Sequence, residues 1–271
     1  MTETPPAAAP LERQVDRNLC AVVLAAGQGL GLRPLTLLRP KPLCPVNNIP
    51  LVDHALERVR SVARDVAVNL HHGREALAAH VLERQRARGG NDRTLHLSIE
   101  EPEALGTAGA LGELRAWIDG RAVVVVNADT WCPGSLARVA ALWDGTRVGV
   151  VVVGSDTFEA TSQIAAAFIP WSEVAPLAPR PSGLWEASWR RLLAEERLEV
   201  FRWDGVCIDC GTPARYLEAN LAASGGTSIV GEGAVVEGSI LRTVVWEGAR
   251  VDPGENLVDA IRAERLTVLV R

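Results

Sequence analysis

The residues best suited to chemistry follow an apolar run near the start of the chain. Leu19 to Leu24 has strand length and breaks into Ala25-Ala26-Gly27-Gln28-Gly29, the pattern of a buried parallel strand feeding a tight turn. Without a Cβ, Gly27 and Gly29 let that turn take positive φ and bring backbone amides close to an anion. Arg33 and Lys41 follow as fixed positive charge. Glycines, open amides and cations in this order suit a phosphate-bearing ligand. A dinucleotide-binding turn fits the spacing poorly. It needs glycine where Leu32 stands, and an acidic residue where the chain reads Pro45-Val46-Asn47-Asn48.

Acidic candidates lie farther along. Ala122-Val123-Val124-Val125-Val126-Asn127-Ala128-Asp129 is the strongest buried-strand pattern in the chain. It delivers an aspartate to the carboxyl end of a strand, where open α/β sheets bind ligands; capping a helix is the alternative role for Asp129. Glu100-Glu101-Pro102-Glu103-Ala104-Leu105-Gly106-Thr107-Ala108-Gly109 combines carboxylates, a turn and small residues that open a helix. His71-His72 ends a strand without a third metal ligand nearby, and adjacent strand residues diverge. Cys207 and Cys210 form a C-x-x-C, but side chains three apart on a strand face opposite sides, so they do not converge on a metal. Five cysteines scattered among strand-like segments read as reduced thiols.

The composite Leu24-Ala25-Ala26-Gly27-x-Gly29-x-x-Leu32-x-Pro34-Leu35-Thr36, running on to Pro40-Lys41-Pro42-Leu43, resembles the sugar-1-phosphate nucleotidyltransferases. Leu105-Gly106-Thr107-Ala108-Gly109, Asn127-Ala128-Asp129 and Asp209-Cys210-Gly211-Thr212-Pro213 resemble further motifs of that family. The resemblance implies transfer of a nucleotidyl group from a nucleoside triphosphate to a sugar-1-phosphate, with release of pyrophosphate. It implies nucleotide contacts from Leu24, Ala25, Ala26, Gly27, Gly29, Gly106 and Thr107, with Gly106, Ala108 and Gly109 letting a flat base lie on the backbone, and from Glu101 or its neighbour Glu100 at the base edge, a plain surface charge being the alternative. Lys41 and Arg33 are the implied catalytic cations, and Asp129 and Asp209 the implied ligands of Mg²⁺, which favours hard oxygens; both aspartates are expected to end strands that neighbour each other at the carboxyl edge of the sheet. Two departures stand out. Leu30-Gly31 replace the family's threonine and arginine in the glycine loop, and no Glu-Lys-Pro segment follows the Val148–Val153 run. The enzyme reading therefore expects Arg33 to compensate and an arginine placed at position 31 to raise turnover. A catalytically impaired relative that binds a nucleotide or a partner is the alternative.

The elements that position these residues alternate. Strand patterns at 19–24, 66–70, 94–99, 122–127 and 148–153 are separated by helical ones at 50–59 and 74–88, which predicts a mostly parallel sheet sandwiched by helices. Ala165-Ala166-Ala167-Phe168-Ile169 reads as a further strand, and Trp185 and Trp189, four apart on a helix, read as packing. From Ile229 the pattern changes: Ile229, Val235 and Leu241, then Val245, Val251 and Leu257, recur every six residues with glycines between. That is the hexapeptide repeat of a short left-handed β-helix, and so short a stack must cover the α/β unit or pair with another subunit. The expected organisation is a tail over 1–17, a nucleotidyltransferase domain over 18–225 and the β-helix over 226–271. With 271 residues, 48% hydrophobic content and net charge −5, the chain has the composition of an ordinary soluble globular protein and offers no electrostatic attraction for nucleic acid or an anionic membrane. The N-terminus lacks the pattern of a signal peptide, and the expected location is the cytoplasm.

Overall fold

A computed structural model describes residues 18–87 and 94–270; the expected 1–17 tail lies outside them. A seven-stranded sheet runs in the spatial order Leu198–Trp203, Val148–Val153, Ile164–Ile169, Ala122–Asn127, Leu19–Leu24, Val66–Leu70, Leu95–Ile99. All pairings are parallel except those of Ile164–Ile169, which runs antiparallel to both neighbours.

The near-continuous apolar strands follow from burial on both faces. Ala21 and Val23 of the first strand pack into one layer with Val52, Leu56 and Leu77 from helices Leu51–Val59 and Arg74–Ala87. Cys20 and Val22 point into the other, against Leu111, Ile118 and Trp189. The first strand is central, and its end at Leu24 pairs with Asn127, so the glycine turn opens beside the segment that carries Asp129. No helix among the described residues is long and apolar enough to cross a membrane.

Beyond helix Pro213–Ala223 the chain winds through short parallel ladders. Ile229–Val230 pairs with Val244–Val245 and the latter with Ala260–Ala263; Val235–Val236 pairs with Arg250–Val251, and Ser239–Leu241 with Asn256–Val258. An antiparallel strand, Leu266–Leu269, closes the end. Of the residues recurring every six positions, Val245, Val251 and Leu257 are buried, whereas the earlier set departs from that pattern. There Val235 and Leu241 are exposed, and Val236 and Ile240 pack inward instead. A one-residue slip reverses which side chains face in.

Candidate active site

Lys41 is the centre of the site. Its Nζ donates to Asp129 Oδ2 at 2.8 Å and to Asp209 Oδ1 at 3.3 Å, although these residues are separated by much of the chain. Asp129 stands just past strand Ala122–Asn127, whose exit is fixed by the Ala128 amide on the Leu24 carbonyl at 2.9 Å. Asp209 was expected to end a neighbouring strand of the main sheet. It lies instead on a two-residue antiparallel ribbon, Ile208–Asp209 with Thr130–Trp131, which the Cys210 amide extends to the Asp129 carbonyl at 3.0 Å. The ribbon puts Asp209 opposite Thr130 and so beside Asp129. Gly211-Thr212-Pro213 then starts a helix: the Thr212 hydroxyl caps it by accepting from the Arg215 amide, and Pro213 takes the first turn, where no amide is missed.

Lys41 is 7% exposed, whereas the two aspartates are 41% and 59% exposed. Burial pulls the lysine pKa down, but the charges and hydrogen bonds of Asp129 and Asp209 outweigh it and hold the ammonium above the usual value. Both carboxylates thus converge on the Lys41 ammonium, and each stays partly open to solvent. Among the described residues no group of three or more acidic, His or Cys side chains forms a closed cation site. A half-shell of two carboxylates suits Mg²⁺, which completes its sphere with water and substrate phosphates.

The glycine turn lies directly on this group. Gly29 has φ +65°, and a Cβ there would come within 3.0 Å of both Lys41 Cβ and Thr36 Cγ2; the Thr36 hydroxyl donates to the Gly29 carbonyl at 3.0 Å. Glycine is required twice over, for its dihedral and for the close approach. Gly27 is exposed, with open space where a side chain would go. Gly31 contradicts the expectation attached to it. A Cβ there would lie 2.4 Å from the Gly211 carbonyl oxygen, so the loop is closed down on the Asp209 motif and has no room for an arginine. Arg33 is exposed and, among the described residues, has no ion pair or side-chain hydrogen bond.

A buried polar chain, missed in the sequence, ties this turn to the Leu105-Gly106 segment. Asn69 Oδ1 accepts the Ala25 amide at 2.7 Å, Asn69 Nδ2 donates to Glu100 Oε1 at 2.8 Å, and Glu100 Oε2 accepts the Leu105 amide at 2.7 Å. Asn69 and Glu100 are buried. The available signal was Asn69 itself, a lone polar residue inside an apolar strand. Glu101, by contrast, is exposed and pairs with Arg74.

The small residues opening helix Gly106–Glu113 serve a different approach from the one expected. A Cβ at Gly106, Gly109 or Gly112 would meet backbone atoms of Ser182, Arg180 or Ala178 at 2.7, 2.2 and 2.4 Å. The chain's own 178–182 segment, not a base, therefore lies on this face. The Ala108 amide donates to the Ser182 carbonyl at 3.0 Å, and the Leu184 amide to the Thr107 hydroxyl at 2.8 Å. Beyond it opens a cavity of about 200 Å³, lined by Leu24, Thr107, Asn127, Ala166, Trp185 and Glu186 among others. Trp189 is buried against Phe158, as a packing role requires, whereas the half-buried Trp185 also lines the cavity.

The cysteines are free, and Cys207 and Cys210 do point apart: Cys207 joins Cys132 in one core layer, and Cys210 joins Cys44 in another. Burial pushes the Cys44 and Cys210 thiols up to about 12.

The chain is similar to known proteins. The family described as "Nucleotidyl transferase" matches residues 20–162, just over half of the chain. N-acetylmuramate alpha-1-phosphate uridylyltransferase of Caulobacter vibrioides is 31% identical over 74% of this chain and 96% of its own. Mannose-1-phosphate guanylyltransferase of Mycobacterium tuberculosis is 25% identical over 93% of this chain and 83% of its own. Among solved structures, a UDP-glucose pyrophosphorylase from Acinetobacter baumanii shares the fold, with TM-score 0.61 and 14% identity over 74% of this chain and 92% of that one. By the family match over more than half its length and the 31% identity to the Caulobacter enzyme, the chain belongs to the nucleotidyl transferase family.

Proposed function

We infer that the protein transfers a nucleotidyl group from a nucleoside triphosphate to a sugar-1-phosphate, forming a nucleotide sugar and pyrophosphate. The observation that carries this reading is Lys41, buried under the glycine turn and held between Asp129 and Asp209. A phosphate oxygen of the sugar-1-phosphate attacks the α-phosphorus and pyrophosphate leaves. Such a transfer needs alignment and charge neutralisation more than a covalent intermediate.

In this reading the amides of Gly27 and Gly29, with Leu24, Ala25 and Ala26 behind them, receive the triphosphate, and Lys41 binds its oxygens. Arg33, exposed and unpaired among the described residues, is the second cation. Asp129 and Asp209 would hold Mg²⁺, which supplies charge neutralisation at the phosphates. Glu101 and Thr107 border the nucleoside, and the cavity beside Trp185 and Asn127 takes the sugar. The C-terminal ladders are the coils of a short left-handed β-helix, whose exposed Val235 and Leu241 offer an edge to a second subunit. A triphosphate-consuming reaction of this kind belongs in the cytoplasm.

A matrix of nucleoside triphosphates and sugar-1-phosphates, read by pyrophosphate release, tests the assignment. Uridine and guanosine triphosphates head it, since the two named relatives are a uridylyl- and a guanylyltransferase. Release with at least one pair, dependent on Mg²⁺ and abolished in Lys41→Ala, is the expected result. Nucleotide binding without release for any pair would replace the enzyme with a nucleotide-binding relative.

A further inference from the structure

Trp246 lies in the C-terminal ladders, yet it reaches both ends of the turn that carries Lys41. At one end the Arg39 guanidinium sits over its indole ring, 4.3 Å from the centroid, and is paired with Glu247 at 2.6 Å. At the other end the indole Nε1–H donates to the Tyr216 hydroxyl at 3.0 Å, and that hydroxyl donates to the Pro45 carbonyl. The intervening turn is stiff. The Leu43 amide donates to the Pro40 carbonyl at 2.8 Å and the Cys44 amide to the Lys41 carbonyl at 3.0 Å, while Pro40 and Pro42 lock φ on either side of Lys41. A stiff segment anchored at both ends moves as one body, so what holds Arg39 and Pro45 sets where the Lys41 stem begins.

The surroundings leave little slack. Trp246 is 1% exposed and belongs to one apolar cluster with Cys44, Val46 and Leu51 after the turn and with Tyr216 and Leu217 after Asp209. An aromatic face under a guanidinium, one edge of the indole in a hydrogen bond and the rest packed fixes the ring in position and rotation.

We propose that Trp246 is a positioning residue for Lys41, so that the C-terminal ladders belong to the phosphate-binding machinery as well as to the fold. The proposal rests on the reading of Lys41 as a phosphate ligand.

The test uses the full-length protein as wild type, Trp246→Leu, Trp246→Phe and Tyr216→Phe. Hydrogen exchange is followed at the Leu43 and Cys44 amides, and kcat and the two KM values are measured per folded molecule. Trp246→Leu should speed exchange at Leu43 and Cys44 about tenfold or more, with protection in strand Leu19–Leu24 retained. Its kcat/KM for the triphosphate should fall roughly ten- to a hundred-fold, the scale of a small misplacement of a reacting group, while KM for the sugar phosphate stays within about twofold. Trp246→Phe keeps a ring under Arg39 and should recover most of the loss. Unchanged exchange at Leu43 and Cys44 overturns the proposal. So does faster exchange throughout the sheet with wild-type kinetics per folded molecule, the mark of a purely structural residue. If Trp246→Leu does not fold, Tyr216→Phe, which removes the bridge to Pro45 and the acceptor of the Trp246 Nε1–H, decides by the same exchange reading. A wild type inactive with every substrate pair would sink the enzymatic reading alone; the exchange arm would still decide whether Trp246 holds the turn.

Discussion

Lys41 and Gly31 set the behaviour of the site at the scale of single residues. Replacing Lys41 with alanine removes the charge that Asp129 and Asp209 share. Turnover should drop roughly a hundred- to a thousand-fold, as when one charge-stabilising donor is lost. Because both aspartates are about half exposed, water screens them, and the melting temperature should barely move. A variant with wild-type kcat would remove Lys41 from the chemistry. The raised pKa of Lys41 gives stability that is complete below the unfolded lysine value of about 10.4 and is lost only as pH rises through the folded value. It therefore contributes nothing to pH dependence near neutrality. His54 does. Burial lowers its pKa despite its bond to the Val46 carbonyl at 3.0 Å, so the unfolded chain takes up a proton first as pH falls below about 6.5. Unfolding midpoints should decline from there, and His54→Gln should flatten the decline; equal slopes in both proteins would show another group responsible. At Gly31 the sequence-based expectation reverses. A side chain there meets the Gly211 carbonyl at 2.4 Å, and Gly31→Arg should cost about 1–3 kcal/mol, the range for overpacking, and slow turnover. A faster and equally stable Gly31→Arg enzyme would show that the loop opens to admit the side chain.

Between elements, the Asn69–Glu100 chain is the joint. It links the end of strand Leu19–Leu24 to the start of helix Gly106–Glu113 through strands Val66–Leu70 and Leu95–Ile99. Asn69→Leu keeps the volume but leaves the Ala25 amide and one Glu100 oxygen without partners inside the protein. Each unsatisfied buried group costs about 1–3 kcal/mol, so denaturant unfolding should register at least one such loss. The KM for the triphosphate should rise as the turn loosens. A change below about 0.5 kcal/mol would mean that water replaces the amide, and the network would then not be what fixes the turn.

At the scale of the whole molecule, the C-terminal ladders and the α/β unit share a core. Val244, Trp246, Ile261 and Ala263 pack with Leu32, Leu35, Cys44, Tyr216 and Leu217 in one cluster. Truncation after Gly225 strips that cover from residues that the chain otherwise buries completely, Leu35 and Tyr216 among them. Removing large core side chains costs about 2–5 kcal/mol apiece, a sizeable share of a typical domain's stability. The truncated protein should bind hydrophobic dye and unfold without a sharp transition. A cooperative transition at the wild-type temperature would show the ladders to be an independent ornament.

The sequence alone determined the parts whose signal is local. Apolar runs of strand length and a glycine turn depend on backbone sterics and burial within a few residues, so the central strands and the Gly27 and Gly29 turn were legible, whereas Lys41, Asp129 and Asp209 stood out only through the family resemblance. Tertiary structure decided whatever depends on what lies opposite. Gly31 reads as a missing arginine until the Gly211 carbonyl is found against it. Gly106 and Gly109 read as a bed for a base until the 178–182 backbone occupies it. Asp209 reads as the end of a sheet strand until a two-residue ribbon delivers it to Asp129. The first coil reads in register until Val236 and Ile240, rather than Val235 and Leu241, turn inward. A glycine states only that no side chain is present. Which atoms use the space is set by segments distant in sequence, through packing that no local pattern encodes.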